Sequence, residues 1–218
     1  EEKLSYEGPF GVGYGVCAYT PTGTDDDRHF ARSYEKIRST QLAQRKAKED
    51  PYVQLARATI EAYITTGKKL SIPVTVPTEM LEQKAGTFVS LKEHGQLRGC
   101  IGTIGPVREN IAAEIIGNAI SAATSDPRFS AVRPDELPDL VYSVDVLGPI
   151  EDIDSPNQLD VKRYGVIVTK GNRRGLLLPN LEGVDSIAQQ ISIACQKAGL
   201  ASDEKEIKLQ RFEVVRHH

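Results

Sequence analysis

Leu97-Arg98-Gly99-Cys100-Ile101-Gly102 is the stretch on which the reading of this chain turns. Apolar residues are interleaved there with an arginine, a cysteine and two glycines, over a length suited to one β-strand. Thr87-Phe-Val-Ser-Leu91 lies upstream, and Glu93-His94-Gly95-Gln96 between the two runs has the composition of a hairpin turn. An antiparallel pair is therefore expected. Side chains alternate across a strand, which puts Arg98 and Cys100 on one side. An adjacent guanidinium favours the thiolate and makes a cysteine more nucleophilic. Gly99 and Gly102 leave room for a ligand or a neighbouring strand, and a bulge at either would break this parity. Free cysteine also packs as a small buried hydrophobe, so Cys100 carries two readings: nucleophile and packing residue.

Working outward, hairpins alternate with helical patterns, which indicates an α+β fold rather than a doubly wound parallel sheet. Asp50-Pro51 is a helix start, with an acid at the N-cap and proline in the first turn. Val53, Leu55, Ala56, Ile60 and Tyr63 follow, and Gly67 closes the helix. Further helices are expected over residues 107–123 and 185–198, with a helical turn over 79–84. Strands are expected over 141–147, 165–169, 174–178 and 206–215. The glycine-rich segment 8–19 reads as one strand with no evident partner, 22–27 as a polar turn, and 28–48 as a charged helix.

The 218 residues are 39% apolar and 26% charged, as in a folded globular chain. A net charge of -3 argues against a general nucleic-acid grip, which needs basic excess to neutralise phosphates. No apolar run reaches the roughly 20 residues that span a bilayer, and no signal-peptide pattern is present. Cys17, Cys100 and Cys195 are far apart and odd in number, so a reducing, cytoplasmic setting is expected rather than a disulfide framework. The chain opens on Glu1-Glu2 without methionine and reads as a fragment; His217-His218 reads as native or as the start of a tag.

Other residues carry candidate chemistry. Asp126-Pro127-Arg128-Phe129 is a charged pair on a proline-held loop, read either as a substrate contact or as a helix-terminating turn. Glu114 and Asn118 are four apart and share a helix face. They would pair with Arg98 if that face meets the strand, or be solvated if it does not. Arg174 follows a turn and is suited to anion binding, or is a surface arginine. Cys195 lies on an apolar helix face and reads as core. His94 has no His or Cys partner nearby in sequence and is not read as a metal ligand. Nucleotide-loop, GxSxG and HExxH motifs are absent, and the residues name no cofactor.

Leu97 to Gly102, with Phe88-Val-Ser-Leu91, resembles the AMMECR family, known in bacteria and archaea as AmmeMemoRadiSam system protein A. The resemblance continues through Asn110-Ile111, Asp126-Pro127-Arg128-Phe129, Tyr142-Ser143-Val144-Asp145-Val146-Leu147, Tyr164-Gly165-Val166-Ile167-Val168, Arg174-Gly175-Leu176-Leu177-Leu178-Pro179 and Arg211-Phe212-Glu213-Val214. It implies a two-lobed α+β domain over residues 51–216, around a mixed, largely antiparallel sheet, with a cleft near residues 98–102. It carries no reaction with it, but implies association with radical-SAM and Memo-like proteins. Tyr6-Glu-Gly-Pro-Phe-Gly-Val-Gly-Tyr-Gly15 is similar to the last strand of class III extradiol-dioxygenase-like, Memo-related domains. Residues 1–27 then read as the remnant of a preceding domain in a fusion, and 28–50 as a linker helix.

Two functions stay open at this level. In one, Cys100 acts on a substrate held by Arg98, Gly99, Gly102, Asp126, Arg128, Glu114, Asn118 and Arg174. In the other, the domain is a non-catalytic adaptor for a radical-SAM or Memo-like partner. RNA binding through a local basic patch is a third, disfavoured by the acidic balance.

Overall fold

The Asp50 carboxylate accepts the Tyr52 and Val53 N–H groups, both at 3.1 Å, and Pro51 occupies the first helical position. These two residues start helix α2, as expected from sequence. The computed structural model describes residues 29–218, Gly23, and the backbone of residues 2–7 and 12–17. The chain divides into two compact units, residues 1–41 and 42–218. The polar stretch 22–27, apart from Gly23, lies outside the described residues, as does the side chain of Cys17.

In the first unit, β1 (Glu2–Glu7) pairs antiparallel with β2 (Val12–Cys17). The glycine-rich strand thus has a partner immediately before it, which its sequence reading lacked. Helix α1 (Phe30–Lys46) begins in this unit, ends in the second, and buries none of its residues.

The second unit holds α2 (Pro51–Thr66), α3 (Thr78–Glu82), β3 (Thr87–Glu93), β4 (Gln96–Gly102), α4 (Ile111–Thr124), β5 (Leu140–Leu147), β6 (Glu151–Ile153), β7 (Gly165–Lys170), β8 (Arg173–Leu177), α5 (Ile187–Lys197), β9 (Lys208–Phe212) and β10 (Val214–His217). The strands form two four-stranded sheets, β10-β5-β3-β4 and β6-β9-β7-β8. Every described pairing is antiparallel. The single mixed sheet expected from the resemblance is therefore two antiparallel ones. Tight turns enforce this: β3–β4 and β7–β8 are each joined by two residues, too few for a parallel crossover.

Each sheet has its own core. Helices α2 and α4 cover one face of the first sheet, burying Ile60, Val89, Leu91, Ile115 and Val144 completely. Helix α5 covers the second, burying Val166, Val168, Ala194 and Cys195. Leu147, Ile167, Leu176 and Phe212 form a third cluster with Phe88 packed against it, which joins the other faces of the two sheets.

Most element boundaries of the second unit lie within two residues of the sequence reading, and the larger departures are three. Helix α4 begins at Ile111 rather than 107, because Asn110 caps it and accepts the Ala113 N–H at 2.8 Å. Short β6 was not foreseen. The final strand is two: the chain leaves the second sheet after Phe212 and joins the first at Val214, with Glu213 between. At the end of β10, His217 stacks on Tyr52 with ring centroids 3.9 Å apart, and its Nδ1 lies 2.5 Å from Asp50 Oδ2. No described helix is long and apolar enough to cross a membrane.

Candidate functional site at the junction of the lobes

Strand β4 is an edge strand and carries a bulge. Leu91 pairs with Gly99 but Lys92 with Leu97, leaving Arg98 as the extra residue. The parity argument for Arg98 and Cys100 fails at this bulge. Arg98 instead donates from Nε to Glu136 Oε1 at 2.8 Å, from Nη2 to Glu136 Oε2 at 3.1 Å, and from Nη1 to the Ser130 carbonyl at 2.9 Å. It ties the edge strand to the 130–136 loop. The charges acting on Cys100 are those of Arg128, Asp145 and Lys197.

Gly99 faces α4, where a Cβ would lie 2.3 Å from the Ala122 carbonyl oxygen. Only glycine lets the strand approach the helix backbone that closely. Gly102 turns the other way, and a Cβ there would fall 2.2 Å from the Phe88 ring. Both glycines serve packing between elements.

Between them, Cys100 points away from α4 and lies half-buried beside Ser90, with Sγ and Oγ 3.2 Å apart. Ser90 is paired across the sheet to Ser143, and Phe88 to Asp145. This row is the floor of the candidate site. Burial pushes the Cys100 thiol above its ordinary range; the Ser90 hydrogen bond and the Arg128 and Lys197 charges oppose that, and Asp145 adds to it. Burial thus favours the neutral thiol over a preformed thiolate.

Asp126 and Arg128 hold the backbone of Cys100. Asp126 Oδ2 accepts the Cys100 N–H at 2.9 Å, and Arg128 Nη2 donates to the Cys100 carbonyl at 3.4 Å. Arg128 also donates to Asp126 from its own N–H, from Nε at 3.0 Å and from Nη2 at 2.7 Å. The pair stands in for the missing neighbour strand, satisfying edge groups that would otherwise template pairing with another chain. Arg128 holds the nearly buried Asp126 carboxyl well below the usual carboxylate range.

From the second lobe comes Lys197, at the end of α5. Its side chain is exposed by area, yet desolvation pulls its ammonium below the usual lysine range, the Arg128 charge pulling the same way and Cys100 opposing. No hydrogen bond or ion pair of the Lys197 side chain occurs among the described residues. Asp145, by contrast, is buried and paired with Arg216 at 2.7 Å. Arg174 is exposed on β8, two residues from Leu176, and donates to Gln210 Oε1 at 3.3 Å.

Glu114 and Asn118 lie on the opposite, core side of the first sheet. Glu114 is fully buried and accepts from Thr103 Oγ1, from the Val107 and Arg108 N–H groups, and from Arg108 Nη1 at 2.6 Å. Asn118 Nδ2 donates to the Thr87 carbonyl and hydroxyl at 2.9 and 3.0 Å. Neither pairing with Arg98 nor a solvated face describes them: they organise the 103–108 loop from inside.

The structure thus brings Cys100, Asp126 and Arg128 together, while Arg98, Glu114, Asn118 and Arg174 make their hydrogen bonds to other partners. Sequence reasoning missed Ser90 and Lys197. Ser90 was legible from the hairpin register, four residues before the turn. Lys197 was not, because nothing local ties the end of a helix to a strand almost a hundred residues earlier. A cavity of about 300 Å³ lies elsewhere, between Lys69–Ile72 and the start of α4.

The AMMECR1 family model matches residues 53–217. A Clostridium acetobutylicum protein is 50% identical over 99% of this chain, which spans 46% of that relative's length. A Thermotoga maritima protein is also 50% identical, over 78% of this chain and 98% of its own. A crystal structure of an uncharacterized Pyrococcus horikoshii protein is similar with a TM-score of 0.71 and 37% identity, covering 76% of this chain and 88% of that one. With its family model spanning both lobes, this chain belongs to the AMMECR1 family.

Proposed function

We propose that the domain binds and processes a small anionic substrate at the lobe junction, over the row formed by Cys100, Ser90 and Ser143. The observation that carries this reading is Lys197, a cation at the end of α5 with no hydrogen bond or ion pair among the described residues, whose charge works with that of Arg128 against the burial of the Cys100 thiol. A cation without a carboxylate partner favours an anionic ligand. Cys100 enters as a thiol, and the positive charges of Lys197 and Arg128 favour loss of its proton. Asp126 and Arg128 fix the strand so that the sulfur stays in place. The proposed context, a radical-SAM-associated modification pathway in the cytoplasm, rests on the family resemblance and on the free cysteines Cys100 and Cys195.

The test is alkylation of Cys100 by iodoacetamide, read by peptide mass spectrometry with and without inorganic phosphate or acetate. Protection by an anion in the wild type, lost in Lys197→Met, is expected. Equal labelling under all conditions would remove the anion site.

A second reading rests on the burial that favours the protonated thiol: a non-catalytic adaptor for a radical-SAM or Memo-like partner. Co-purification of such a partner that is indifferent to Cys100→Ser, with no substrate turned over, would support it.

A further inference from the structure

We infer that Glu93, His94 and Asp139 form a binding site for a divalent transition-metal ion. One ligand atom from each, a carboxylate oxygen, an imidazole nitrogen and a second carboxylate oxygen, lies within 4.8 Å of the others. The set is assembled by the fold. Glu93 ends β3, and its register partner on β5 is Leu140, the neighbour of Asp139. His94 is the first residue of the two-residue β3–β4 turn, with φ +51°, followed by Gly95 at +82°. Both values are positive, as in a type I′ turn, which fixes the direction in which the histidine leaves the hairpin.

The donor types select the ion. Imidazole with carboxylates suits zinc, cobalt, nickel or iron, whereas magnesium and calcium prefer oxygen alone. Metal bonds of about 2.0–2.2 Å hold neighbouring ligand atoms some 3–4 Å apart. The three ligand atoms, all within 4.8 Å of one another, lie near that spacing. Asp139 already carries another interaction, with which the ion would compete. Three protein donors leave coordination positions for water or a partner's side chain. Cys100 is six residues from His94, or roughly 20 Å of extended chain, so this site is separate from the thiol. The ion would fasten the tip of the β3–β4 hairpin to the start of β5.

The experiment is titration of the whole chain with Co²⁺, followed by visible absorption and reversed by Zn²⁺, alongside thermal melts with and without Zn²⁺. One equivalent bound and a raised melting temperature are expected. His94→Gly relaxes the positive-φ turn rather than straining it, and Asp139→Asn keeps shape; each is expected to weaken binding at least tenfold. His218→Ala controls for the C-terminal histidines and is expected to leave binding unchanged. Absence of stoichiometric binding, or binding lost in His218→Ala and kept in His94→Gly, would overturn the inference.

Discussion

Replacing Asp126 by asparagine tests whether the 126–128 loop seals the edge of β4. Asparagine keeps the shape but loses the charge, and its amide N–H₂ must face either the Cys100 N–H or the Arg128 guanidinium. Four donated hydrogen bonds converge on this carboxylate, from the backbone of Cys100 and Arg128 and from two guanidinium nitrogens. A hydrogen bond to a charged group contributes about 1.5–3 kcal/mol, and a donor left facing another donor costs a similar amount. The Arg128 side chain is 54% exposed, so its share is reduced by solvent screening. The expected loss is about 2–3 kcal/mol at pH 7, or roughly 4–12 °C in Tm for a domain of this size. The pH dependence sharpens the prediction. Asp126 has a depressed folded-state pKa, so its contribution is complete above the unfolded value near 4 and fades as pH falls towards the folded one. Urea denaturation of wild type and Asp126→Asn, at pH 7 and in steps down to pH 3, should show the gap narrowing only below pH 4. A gap under about 0.5 kcal/mol at pH 7, or one that does not change with pH, would refute the assignment.

Gly99→Ala should destabilise by about 2–3 kcal/mol through overpacking, because its Cβ would meet the Ala122 carbonyl oxygen. Gly105→Ala, where a Cβ meets nothing within 4 Å, should change stability by less than about 0.5 kcal/mol in the same urea assay. Glu114→Gln should cost about 3–4 kcal/mol, since Arg108 and two backbone N–H groups lose a buried carboxylate; a melt within 2 °C of wild type would contradict the buried network.

The elements themselves were legible where local chemistry announces them. Asp50-Pro51 and Gly67 bracket α2, and His94-Gly95 marks the hairpin, because caps and tight turns are decided by a few adjacent residues. The separation into two sheets was not legible. It turns on Glu213, where an apparently continuous strand changes sheet, and on side-chain packing between distant elements. For the site, the sequence singled out Cys100, Asp126 and Arg128, which the fold brings into contact. It misread Arg98 because alternation holds only for a regular strand, and the register shift beside Leu91 removes that regularity. It also gave Glu114 and Asn118 a choice between solvent and Arg98, where burial with Arg108 and Thr87 was the outcome. His94 looked isolated because its carboxylate neighbour Asp139 arrives through strand pairing, 45 residues on.

The central claim is that Lys197 of the second lobe acts on the Cys100 thiol of the first. Its most direct test is the pH dependence of Cys100 alkylation, read on the Cys100 peptide alone, in wild type and Lys197→Met. Burial raises the wild-type thiol, so its rate should climb only above the ordinary cysteine range of about 8.5. Removing the Lys197 charge should move the midpoint higher still. A wild-type rate already at plateau by pH 7, or identical profiles for the two proteins, would contradict it.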